Sequence, residues 1–116
     1  MKIRHILKSK DFVEILKNGE KLKNKLVSAH LKRETGGKEL SVGVIVSKKC
    51  APKAVTRNYL RRIIYAYFRE AGAKWAKGTR IVVRLSSNVS EIKKRPLSQE
   101  VRKNLARIAQ KAQDKK

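Results

Sequence analysis

PKAVTRNYLRRIIYAYFRE, residues 52–70, is long enough for about five turns of α-helix and separates into two faces. At about 100° per residue, Val55, Tyr59, Ile63, Ala66 and Tyr67 share one arc, which Leu60 and Ile64 extend. The other arc carries Lys53, Arg57, Asn58, Arg61, Arg62 and Arg69. No acid stands among them, and Glu70, which closes the stretch, is the first. Pro52 suits a helix start, where its missing N–H costs nothing. A helix with a core face and an unpaired cationic face is built to meet a polyanion.

Toward the N-terminus the period changes to two. In ELSVGVIVS, residues 39–47, Leu40, Val42, Val44 and Val46 point one way and Ser41, Gly43, Ile45 and Ser47 the other, which predicts a strand. KLVSAHLKRE, residues 25–34, reads as a second strand with Leu26, Ser28, His30 and Lys32 on one face. Gly36 and Gly37 lie between the two runs, so an antiparallel hairpin is their simplest pairing. Before them, Ser9 to Asn18 reads as a short helix, capped by Ser9, favoured by Asp11 in its first turn and closed by Gly19. Phe12, Ile15 and Leu16 share one of its faces. Phe12 fits a core stripe and a base-stacking role equally well.

Toward the C-terminus, Gly72 and Gly78 bracket a loop whose Trp75 reads as a packing residue. RIVVRL, residues 80–85, is a third strand, with Ile81, Val83 and Leu85 opposite Arg80, Val82 and Arg84. Residues 86–96 form a polar connection, and Pro96 should interrupt any helix crossing it. From Leu97 or Ser98 to Ala112 a last helix carries Leu97, Val101, Leu105, Ile108 and Ala112 as its stripe, leaving residues 113–116 to fray. The expected order is α-β-β-α-β-α: one small α+β domain over residues 1–116, its central sheet covered by helices.

Charge narrows the function. Lys and Arg number 31 against 9 Asp and Glu, a formal net charge of +22 in 116 residues. Self-repulsion of that size disfavours the compact state, and an anionic partner relieves it. Nucleic acid is the leading partner because phosphate neutralisation releases counterions. A membrane is not expected: no run of about 18 apolar residues exists, and no signal-peptide core opens the chain, which suggests the cytoplasm. One cysteine, Cys50, excludes an internal disulfide and a multi-cysteine zinc site, and it reads as a gap filler. No compact carboxylate cluster, no His pair at metal spacing and no Ser/His/Asp signature is present to suggest a protein-borne nuclease.

Three ordered stretches resemble the protein component of bacterial ribonuclease P. SKDFVEILKNGEKL, residues 9–22, is similar to the family's opening s-x-D-F-x-x-v-f-k-x-G; VGVIVSKK, residues 42–49, to its strand ending in Ser-Lys-Lys; and AVTRNYLRR, residues 54–62, to its signature A-V-x-R-N-R-x-K-R. SQEVRKNLARIAQKA, residues 98–112, is compatible in pattern. The resemblance implies an α-β-β-α-β-α fold with a left-handed β-α-β crossover, an exception to the usual hand. It implies a subunit that binds a catalytic RNA and the 5′ leader of precursor tRNA, and so assists endonucleolytic removal of that leader. It further implies no catalytic protein side chain, no cofactor held by the protein alone, Mg²⁺ in the assembled ribonucleoprotein, and no required protein partner.

Carried over residue by residue, Arg57 and Asn58 match the Arg-Asn of the signature, and Arg61 and Arg62 its later basic pair. Tyr59 stands where the second arginine is expected, and Tyr65 at another position that is often basic. The implied RNA-binding set is Lys48, Lys49, Lys53, Arg57, Asn58, Arg61, Arg62 and Tyr65, with Tyr65 stacking on RNA or lying across lysine stems. The implied leader cleft, between the central helix and the sheet, takes Phe12, Leu16 (where many members have a second aromatic) and His30. A ribosomal-type structural RNA binder is the alternative; it shares the charge and element order but does not predict the three motifs. A DNA-compacting protein would show a minor-groove arm or wedge, which is absent here.

Overall fold

The computed structural model describes residues 3–6, 8–33, 39–71, 75, 78–90 and 92–114. In chain order the elements are β1 (Ile3–His5), α1 (Ser9–Asn18), β2 (Glu20–Lys23), β3 (Val27–Arg33), β4 (Leu40–Ile45), α2 (Ala54–Ala71), β5 (Thr79–Leu85) and α3 (Lys94–Asp114). The expected order is present, with β1 and β2 added to it. Both additions are short, IRH and EKLK, and so show no periodicity that a sequence reading could catch.

The sheet runs β1-β4-β5-β3-β2. β5 pairs parallel with β4 and antiparallel with β3, so it separates the two strands that were expected to form a hairpin. The physical reason lies in β5 itself. Ile81, Val82 and Val83 are all fully buried, and a strand apolar on both faces belongs in the middle of a sheet. The antiparallel hairpin of β3 is made instead with β2, with Lys23 opposite Ser28. The expected Gly36-Gly37 turn lies outside the described residues. β4, α2 and β5 form a crossover between neighbouring parallel strands.

Helices cover both faces of the sheet. On one face Leu60, Ile63, Ile64 and Phe68 of α2, and Leu97, Val101, Leu105 and Ile108 of α3, meet Val27, Ala29, Val42, Val44, Ile81 and Val83. On the other face Ile15 of α1 meets Ile6 and Val82, with Phe12, Leu16 and Ile45 half-buried around them. The core stripe of α2 therefore centres on Leu60, Ile64 and Phe68, and Val55, expected inside it, is 66% exposed. Trp75 is buried against Phe68, with ring centroids 5.7 Å apart, in the packing role read from the sequence.

Three local expectations change. Ser9 is the first residue of α1, not its cap; Lys8 occupies the cap position and makes no side-chain capping bond. Gly19 does close α1, but through proximity. A Cβ there would lie 2.5 Å from the Ile15 carbonyl oxygen and 2.8 Å from that of Leu31. Pro96 does not delay α3, which begins at Lys94, because in a first turn its missing N–H is not needed.

One buried polar residue ties α3 to the β2–β3 connection. Asn104 is 1% exposed; its Oδ1 accepts the Leu26 N–H at 2.8 Å, and its Nδ2 donates to the Glu100 carbonyl at 2.7 Å. We predict that Asn104→Leu, which keeps the volume and orphans the Leu26 donor, lowers unfolding free energy by about 1–3 kcal/mol in urea titration. An unchanged midpoint and slope would contradict this account.

Candidate nucleic-acid interface

Two basic surfaces lie on opposite faces of the sheet. The first is the outward side of α2. Lys53, Asn58, Arg62 and Arg69 are exposed, and Arg57 and Arg61 are partly so. The helix has no acid in its first turn, so nothing there offsets these cations. Arg57 has a structural task as well: its Nη1 donates to the carbonyls of Ala51 at 3.0 Å and Pro52 at 2.9 Å, fixing the entry into α2. Arg61 donates to Asn58 Oδ1 at 3.3 Å, which orients its guanidinium along the helix surface. Lys48 and Lys49 are exposed on the preceding turn. That turn is held by Ser47 Oγ, which accepts the Cys50 N–H at 3.2 Å, and by Asn88 Nδ2, which donates to the Lys49 carbonyl at 3.2 Å.

Tyr65 is directed elsewhere. Its ring stacks on His5 of β1, with centroids 4.0 Å apart and planes 12° from parallel. Burial pushes its phenol pKa up. This tyrosine anchors the added edge strand to α2, a contact with no counterpart in the sequence reading.

The second surface lies on the α1 side. Strand register organises it into three rows: Arg4, Ser41, Arg80 and Lys32; then Gly43, Val82, His30 and Lys21; then Ile45, Arg84, Ser28 and Lys23. α1 covers much of the first two. Asp11 pairs with Arg80 at 3.3 Å, and Glu14 pairs with Lys32 at 2.6 Å. The Lys32 hydrogen bond, then its charge, holds the Glu14 carboxyl below the usual range, so this acid stays ionised against its partner. Phe12 lies across Gly43, where a Cβ would come within 2.6 Å of the ring. Only glycine allows that approach.

Phe12, Leu16 and His30, expected together, are thus on one surface. Phe12 and Leu16 belong to α1 and pack on the sheet face of Val82 and His30, whereas α2 packs on the opposite face, so the three do not lie under the central helix as expected. Sequence reasoning also missed Lys21, Lys23 and Arg84, which join the surface through register; Lys21 and Lys23 belong to a strand too short to recognise. His30 is 7% exposed, and its Nδ1 has no hydrogen-bond partner. Burial first, then the charges of Lys21 and Arg84, lower its pKa, so the imidazole is held neutral. Among the described residues no three of His, Cys, Asp and Glu come together in a way that could hold a metal ion. No helix among them is long and apolar enough to cross a membrane.

The Ribonuclease P family model matches residues 1–109. The chain belongs to the ribonuclease P protein family. The ribonuclease P protein component of Pseudanabaena sp. (strain PCC 6903) is 29% identical over 102 residues, covering 88% of this chain and 84% of that protein. The RNase P protein of Thermotoga maritima superposes with a TM-score of 0.78 at 28% identity, over 95% of this chain and 97% of that one. The Staphylococcus aureus RNase P protein shares the fold, with a TM-score of 0.81 at 22% identity over 96% of each chain. The expectation taken from the three motifs therefore holds: the chain is the protein subunit of ribonuclease P, the ribonucleoprotein endoribonuclease that processes the 5′ leader of precursor tRNA.

His30 supplies a pH test of the α1-side geometry. Its pKa is 6.5 when unperturbed and lower in the fold, so below that value the unfolded chain binds more protons than the folded one. Stability should therefore fall as pH drops through 6.5 and stop falling, for this group, below the folded pKa. His30→Gln should flatten the change in urea midpoint between ~pH 7.5 and ~5. Parallel profiles for both proteins would mean that His30 is not held neutral.

Proposed function

We propose that the two basic surfaces divide the work of this subunit: the outward side of α2 docks on the catalytic RNA, and the α1–sheet cleft holds the leader of precursor tRNA. The docking set is Lys48, Lys49, Lys53, Asn58, Arg61 and Arg62, with Arg57 fixing the entry turn and adding charge. Tyr65 serves this face by locking β1 against it. In the cleft, Phe12 and Leu16 offer an apolar wall to a base, and Lys21, Lys23 and Arg84 offer cations to the phosphates. Neutral His30 lies between them as a buried imidazole, not as a proton donor.

The observation that carries this reading is the separation of the surfaces by the sheet. α2 packs on the face of Ile81 and Val83, while Phe12 and Leu16 pack with Val82 on the other. An RNA bound to one surface leaves the second open. Single-stranded substrate suits the cleft, because an unstacked base can reach a half-buried aromatic edge. A large structured RNA suits the convex cationic helix, because many phosphates are neutralised at once. In the assembled particle, divalent ions held by the RNA would supply Lewis-acid chemistry. The chain binds and orients RNA and reduces its charge repulsion, as one domain acting in the cytoplasm.

Cleavage of precursor tRNA at low magnesium should be strongly stimulated when this chain is added to the catalytic RNA, and absent with the chain alone. Robust cleavage without RNA would overturn the assignment of chemistry. The division of surfaces is tested separately. Arg61→Ala should flatten the log–log salt dependence of catalytic-RNA binding by about 0.7–0.9. Arg84→Ala should leave that slope unchanged and weaken precursor tRNA binding by the assembled particle. If Arg84→Ala alters the RNA slope and Arg61→Ala does not, the surfaces are assigned the wrong way round.

A further inference from the structure

The α2 signature carries an aromatic where the resembling motif carries an arginine, and the fold surrounds that aromatic with cations from another element. Tyr59 lies half-buried at an open groove of about 690 Å³ lined also by Arg95, Ser98, Gln99 and Arg102 of α3. Val55, one turn earlier on the same side of α2, is 66% exposed, one of the two large apolar residues left most open to solvent among the described residues. Arg62, one turn later on that side, is exposed. Tyr59 is thus the α2 residue that lines the groove, with an exposed valine one turn before it and an exposed arginine one turn after it along the helix.

The α3 wall complements it. Arg95 is exposed and Arg102 is partly so. Arg102 is joined to Glu70 at 3.1 Å, which tethers its guanidinium beside α2 and offsets part of its charge. Ser98 and Gln99 add neutral hydrogen-bonding groups between the arginines. An aromatic ring next to an apolar side chain, amides and hydroxyls within reach, and guanidinium groups at the margin suit one chemical class: an unpaired nucleotide, with its base on the ring and its phosphate on an arginine.

We infer that the α2–α3 groove is a nucleotide-binding subsite that extends the α2 docking face onto α3 and captures an unpaired nucleotide of the catalytic RNA. This rests on the assignment of α2 to that RNA. The groove is joined to α2 through Tyr59, and the sheet separates α2 and α3 from the cleft assigned to the leader, so the catalytic RNA is the source and not the substrate. The tyrosine then adds to docking, because Arg95 supplies a cation that α2 itself lacks at that position.

Two contributions should separate on titration of the full chain with the catalytic RNA across salt concentrations. Arg95→Gln, at an exposed position, should weaken binding and reduce the log–log salt slope by about 0.7–0.9. Tyr59→Leu, which keeps apolar volume but removes the ring, should weaken binding by roughly 5- to 100-fold with the slope unchanged, and Tyr59→Phe should restore most of the loss. Urea midpoints identify any loss caused by unfolding; if Tyr59→Leu unfolds, Arg95→Gln alone decides. Wild-type affinity and slope for Arg95→Gln, alongside a flattened slope for Arg61→Ala, would overturn the groove and leave the α2 assignment standing. Weakened binding of precursor tRNA by the assembled particle, with catalytic-RNA binding unchanged, would equally overturn it by assigning the groove to substrate.

Discussion

Burial of β5 on both faces is the constraint on which the rest of the structure depends. Ile81, Val82 and Val83 are fully buried in succession, so each face of the sheet needs its own cover. α2 and α3 cover the face of Ile81 and Val83, and α1 covers that of Val82. Two covered faces in a chain of 116 residues leave little apolar material for any surface beyond them. The sheet that closes the core also keeps the two RNA surfaces apart.

Three of the acids are placed where they hold elements together. Asp11 and Glu14 fasten α1 to Arg80 and Lys32, and Glu70 links α2 to Arg102 of α3. Exposed pairs of this kind contribute little energy individually, about 0–1 kcal/mol. Their positions matter more than their number. By pairing with cations at helix–sheet and helix–helix contacts, they leave the cations of the outward α2 side and of the third register row to face an RNA. With a formal net charge of +22, RNA binding also relieves a repulsion that the folded chain carries alone.

What the sequence made legible follows from period and length. α1 is found at its read boundaries, Ser9–Asn18, because its apolar residues and its closing glycine agree. α2 and the strands from Val27, Leu40 and Thr79 carried enough periodic residues to be seen. Strand order was not legible: nearness in sequence favoured a hairpin, whereas the two-sided hydrophobicity of β5 placed it between the partners. β1 has three residues and β2 four, and both depend on register with a neighbour and not on their own pattern. The same limit applied to the site. Lys21, Lys23 and Arg84 sit beside His30 and Ser28 only through cross-strand pairing, which no local motif encodes.

Replacing a cation by tyrosine on a docking helix changes the division of labour along it. Tyr65 turns to His5 and makes β1 part of the α2 face, so one cation's place is taken by a packing contact. Tyr59 lies in the groove toward α3, next to Arg95 and Arg102. Arg57 is partly committed to the Ala51 and Pro52 carbonyls, so its Nη1 is not available to phosphate without releasing the helix entry. Arg61 and Arg62 are then the cations of the signature least engaged in holding the fold. The cationic arc is better described as a short run of guanidinium groups with two tyrosines beside it, one stacked on His5 of β1 and the other lining the groove toward α3.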